Sequence, residues 1–148
     1  MDMKRYFPII LLAFIALAFT HNANAQCKTF AKETGRTSLK PFTHDGNYNA
    51  AVMMEGEEAD LYKTFYSGSN YRISVIASEP LSKVIFSIYD ENGKKLYTNE
   101  ASNFKSTWDF NIKSTQQLHV IVKVPARTEN QTDAQQGCVA ILFGFKEK

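Results

Sequence analysis

YRISVIASEPLSKVIFSIYDENGKKLY, residues 71–97, decides the fold. Tyr71, Ile73, Val75 and Ala77 alternate with Arg72, Ser74, Ile76 and Ser78. A period of two in β-branched and aromatic residues turns one face of a strand inward and the other outward. Glu79-Pro80 ends the run, because proline has no N–H to give a central ladder. From Lys83 the chain reads KVIFSIYD, with Val84, Phe86 and Ile88 on one face and Ile85, Ser87 and Tyr89 on the other. Asp90-Glu91-Asn92-Gly93 follows. An acidic first residue and a glycine able to take positive φ predict a type I turn with a bulge, folding the next strand straight back. Apolar residues do not recur here at three and four, so the stretch is not a helix.

The flanks continue the pattern. NAAVMM at 49–54 reads as a first strand, and Leu61, Lys63 and Phe65 alternate with Tyr62, Thr64 and Tyr66. After the hairpin, Trp108, Phe110 and Ile112 alternate with polar neighbours, which turns the single tryptophan inward. LHVIVKV at 118–124 ends at Pro125, and CVAILFGF at 138–145 is apolar on both faces, the mark of a central strand. Residues 99–106 and 126–136 are polar and read as loops, and residues 28–47 show no clean period and read as an irregular lead-in. About eight short strands with no internal repeat and no amphipathic helix predict an all-β, antiparallel sandwich of jelly-roll type.

The first 25 residues are expected to lie outside that fold. Lys4 and Arg5 precede an apolar run from Ile9 to Phe19, and Ala23-Asn24-Ala25 is a small-x-small cleavage site. This is the pattern of a secretory signal, too short to remain as a spanning anchor. The expected domain is residues 26–148, exported to the periplasm or beyond the cell surface and left without a stable membrane anchor. Cys27 and Cys138 are the only cysteines, and in an exported chain an even pair predicts one disulfide. Lipidation of Cys27 is disfavoured, because Gln26 stands where a small residue is wanted and Cys138 would be stranded. Seventeen Lys and Arg against 15 Asp and Glu give a net charge of +2 with no basic stripe, which argues against a nucleic-acid partner.

Two resemblances follow from these segments. DLYKTFYSGSNYRISV, VIFSIYDENGKKLY and LHVIVKV, spanning roughly residues 58–124, resemble the pre-peptidase C-terminal β-sandwich modules of secreted bacterial proteins. PFTHDGNYNAAV, WDF, STQQLHVIVKVP and GCVAILFGF resemble a group of small exported Bacteroidetes proteins of unknown function. Both imply a secreted β-sandwich, and neither supplies catalytic residues. In a bacterial setting the Asn130-Gln131-Thr132 glycosylation pattern is accidental.

Chemistry-bearing patterns are sparse. There is no Gly-x-Ser-x-Gly, no HExxH and no glycine-rich phosphate loop. Glu55, Glu57, Glu58 and Asp60 supply oxygens of the kind calcium takes, but strand alternation splits them between faces, so solvated edge charge is the expected reading. Asp90 and Asn92 are accounted for by the turn, and His44 and His119 lack the spacing of a zinc site. No cofactor is expected. The one excess is aromatic: Tyr62, Tyr66, Tyr89 and Trp108 are the candidate binding residues, since an amphipathic ring can stack on a sugar or a peptide. The expected function is a non-enzymatic binding or accessory module with a glycan or protein ligand, its surface formed by tyrosines and the 99–106 and 126–136 loops. Alternatives are an up-and-down barrel carrying an apolar ligand, and a secreted enzyme or enzyme inhibitor.

Overall fold

The 90–93 hairpin is the tip of the whole fold. In the computed structural model, which describes residues 23–81, 83–127 and 133–147, β5 (Ile85–Tyr89) and β6 (Lys95–Thr98) flank it. Gly93 takes φ +75°, its N–H donates to the Asp90 carbonyl, and Asp90 Oδ1 accepts the amides of Asn92 and Lys94. The ladder shifts register between Ile88 and Tyr89, the expected bulge. Behind the tip, β4 (Ser69–Ala77) pairs with β7 (Thr107–Asn111), β3 (Glu58–Phe65) with β8 (Gln116–Lys123), and β2 (Asn49–Met54) with β9 (Gln136–Glu147). These nested antiparallel pairs form one long ribbon, rolled so that β4 also meets β9 and β5 also meets β8. The result is two sheets, β2-β9-β4-β7 and β3-β8-β5-β6, with a two-residue β1 (Thr43–His44) beside β2 on β9. That order is a jelly roll. The sheets stay separate, so the barrel alternative does not hold.

Strand alternation fills the space between the sheets. Tyr71, Ile73 and Val75 of β4 and Val139, Ile141 and Phe143 of β9 face Phe65, Phe86, Ile88, Leu118, Val120 and Val122 of the second sheet. The open edge between β6 and β7 is closed by rings. Tyr97 stacks on Trp108 at 4.9 Å and Trp108 on Phe110 at 4.3 Å. Phe65 lies edge-on to Tyr71, Phe110 and Phe143. Offset and edge-to-face contacts of this kind add about 0.5–1.5 kcal/mol per pair beyond burial. Lys63 also points inward; its ammonium lies 2.6 Å from Asp45 and 4.8 Å from the Phe143 ring centre.

The lead-in is where the structure departs from expectation. Residues Ala23–Leu39 form a helix, α1, where an irregular segment was expected. Its buried positions are Cys27, Ala31, Gly35 and Leu39, one every fourth residue. They lie against Ala140 and Leu142 of β9, with Ala50 and Ile76 alongside. Only one of the four is a large apolar residue, so the stripe carries almost no hydrophobic periodicity and the segment reads as polar. Small residues serve a different purpose here: they let the helix axis approach the sheet. A Cβ on Gly35 would run into Leu142 Cδ1. The same spacing puts Lys28, Lys32 and Arg36 along one exposed side, a basic stripe that exists only because the segment is helical.

Both ends of α1 are fastened. Cys27 and Cys138 form the expected disulfide, Cα atoms 5.1 Å apart across a sequence separation of 111. At the other end Arg72 of β4 makes a two-pronged bond to Asp109 of β7, 2.6 Å on each prong. The same guanidinium donates to the Lys40 carbonyl at 2.6 Å and to that of Ser38 at 3.4 Å, where orphaned helix carbonyls favour a cation. The bonds to Asp109 raise the Arg72 pKa above its ordinary value, against a smaller opposing effect of burial. Ser38 and Ser74 hydroxyls meet at 2.7 Å beneath the helix. The expected signal segment, apart from residues 23–25 in the helix's first turn, lies outside the described residues, as do 128–132 of the second polar loop.

Candidate functional site

With α1 over the outer face of β2, β9 and β4, the outer face of the second sheet is a broad surface that no helix covers among the described residues. Register turns it into a grid. Tyr62 of β3 pairs with His119 of β8, and His119 with Tyr89 of β5, so three rings stand in one row across the strands. Lys95 of β6 extends the row, its ammonium 5.5 Å from the Tyr89 ring centre. The next row along is Asp60, Ile121 and Ser87, and the one beyond it Glu58, Lys123 and Ile85.

Ring geometry decides what the row can present. Tyr62 and His119 have centroids 4.2 Å apart and planes within 6°. Rings lying flat side by side cannot approach so closely, so the two stand face to face, with Tyr62 on the edge strand 62% exposed. His119 Nε2 is 2.7 Å from Asp60 Oδ2, and this bond holds the imidazole upright against Tyr62. Tyr89 lies 6.3 Å from His119 at 45°. Two shallow depressions open along the face. One, of about 290 Å³, is lined by the three rings with Asp90, Glu91 and Gln117. The other, of about 600 Å³, runs past Ile121 to Glu58, Lys123, Glu100 and Pro125.

The four candidate rings are therefore divided. Tyr62 and Tyr89 share the row. Tyr66, 66% exposed, follows β3, and its backbone N–H and carbonyl are both bonded to the Tyr71 hydroxyl at 3.0 Å. Trp108 stands in the aromatic seam between the sheets, away from the row. His119 lacks metal-ligand spacing in the sequence, and its place between two tyrosines is visible only once β3, β8 and β5 are aligned. The 99–106 loop is divided too. Glu100 borders the larger depression, whereas Phe104 faces Thr34, Val75 and Leu81 on the helix side. Asn99 anchors this loop, 1% exposed, its Oδ1 accepting the Phe86 amide and its Nδ2 donating to the Val84 and Lys105 carbonyls.

The carboxylates do not converge. Glu55 accepts the Gln135 amide and Glu57 the Met54 amide, while Glu58 and Asp60 lie on the outer face. His44 is held in its own turn by Asn47 and Gly46. His119 and Asp60 form an acid–imidazole pair, and Ser87 lies one row away, but among the described residues no hydroxyl is bonded to that imidazole.

No family model matches the chain, and no curated protein matches it in sequence. Among solved structures it is similar to Aeromonas hydrophila PliG, a periplasmic lysozyme inhibitor of g-type lysozyme. The likeness has a TM-score of 0.52 at 8% identity, covering 72% of this chain and 90% of that one. At that identity the likeness is one of fold.

Proposed function

We propose that this chain is an exported, non-catalytic protein-binding module that inhibits a secreted hydrolase, docking through the uncovered face of the second sheet. The observation that carries the reading is the Tyr62–His119–Tyr89 row, with Tyr62 and His119 upright, on the face that α1 leaves open among the described residues. A flat sugar-stacking platform needs rings lying along the sheet, and here Tyr62 and His119 stand upright and each covers one face of the other. Edges, hydroxyls and adjoining depressions suit the side chains of a protein partner, where tyrosine is a favoured anchor. The fold shared with a periplasmic lysozyme inhibitor favours inhibition over a glycan-binding role. Export is supported by the signal-like N-terminus, by the disulfide and by the resemblance to small exported proteins.

The test is an inhibition panel of secreted hydrolases headed by g-type lysozyme, run beside a glycan array. The reading predicts that at least one enzyme is slowed. It also predicts that Tyr62→Ala and His119→Ala each weaken inhibition about tenfold or more, with circular dichroism and melting temperature little changed. Glycan binding with every enzyme unaffected would overturn it.

A further inference from the structure

The smaller depression has a chemistry that narrows the partner. Its walls are the rings of Tyr62, His119 and Tyr89, and the hairpin tip sets Asp90 and Glu91 at its mouth. Asp60 lies behind His119. Gly93, which also borders the depression, has no side chain to close it. Among the described residues neither Asp90 nor Glu91 takes part in an ion pair. Lys95, beside Tyr89 in the row, has its ammonium 5.5 Å from that ring's centre, so a face of this ring accepts positive charge.

We propose that this depression receives a basic side chain, arginine in particular, from the protein partner. The inference rests on the reading that the uncovered face is the protein-docking surface. A guanidinium is planar and weakly hydrated. It can lie against the Tyr89 ring while its N–H groups point to the carboxylates at the mouth. An acidic or phosphorylated group entering the same place would meet Asp90 and Glu91 as like charges.

The experiment is a two-dimensional NMR titration of the disulfide-bonded protein. The probes are N-acetyl-L-arginine amide and its neutral isostere N-acetyl-L-citrulline amide. Saturable shifts are expected at Tyr62, Tyr89, Gln117 and His119 with the arginine amide, and binding about tenfold weaker with citrulline. Glu91→Gln, an exposed change that leaves the turn's backbone bonds intact, should weaken the arginine amide about threefold. Glu100→Gln, outside the depression, should leave it unaltered. Equal binding of the two amides, shifts confined to other surfaces, or an inert Glu91→Gln would overturn the proposal. Should an enzyme be inhibited while the arginine amide leaves these residues unmoved, the pocket falls and the inhibitor reading stands. Should the amide bind and no enzyme be slowed, the pocket stands and the inhibitor reading falls.

Discussion

Gly35 costs the helix about 1 kcal/mol in propensity relative to alanine, and yet alanine there is expected to destabilise the protein. The added methyl would overlap Leu142, which is fully buried on β9 and has little room to retreat. Overpacking of this kind costs about 1–3 kcal/mol. Gly35→Ala should therefore lower the urea midpoint, and Gly35→Val should lower it further; a rise with alanine would mean that α1 does not lie where it is drawn. Asn99 gives a second residue-scale test. Asn99→Ala removes partners from the Phe86 amide and the Val84 carbonyl beneath the 99–106 loop. Unsatisfied buried groups make a loss of about 2–4 kcal/mol the expectation in denaturant unfolding. A loss below about 0.5 kcal/mol would show that water replaces the amide.

At the scale of elements, α1 is held by a covalent bond at its start and by Arg72 at its end, with mostly small residues between. The cluster under it is small, with four buried residues of which two are leucines, so its fastening at both ends counts. Replacing Cys27 and Cys138 by serine is expected to cost about 4–5 kcal/mol on the chain-entropy account of so long a loop. It should also raise amide hydrogen exchange across residues 23–39 more than across β4 and β9. Uniform exchange throughout would contradict the idea that the disulfide's local task is to dock the helix. The strands were legible because alternation is a strong signal wherever one side meets a core, as in Tyr71–Ala77 and Leu118–Val122. The helix was not, because a Cys-Ala-Gly-Leu stripe packs by closeness rather than by hydrophobicity. The apolar outer face of β9, Ala140 and Leu142, was the trace it left in the sequence: centrality in the sheet was read from it, but not the element that covers it.

For the whole molecule, one long ribbon rolled into a jelly roll leaves two outer faces, and the helix closes one of them. Turn chemistry at Asp90-Gly93 and the run of short strands made the sandwich readable from residues alone. The candidate site was only half readable, since Tyr62, His119 and Tyr89 are far apart in sequence and meet only through the β3–β8–β5 register. The disulfide staples the side that the helix covers, and the proposed docking surface lies on the other. The most direct measurement is a hydrogen-exchange footprint of the complex with an inhibited hydrolase. Slowed exchange is predicted in residues 58–64, 85–91 and 117–123, with residues 23–39 unchanged. Protection concentrated on 23–39, with the Tyr62–His119–Tyr89 row still exchanging as in the free protein, would contradict the account.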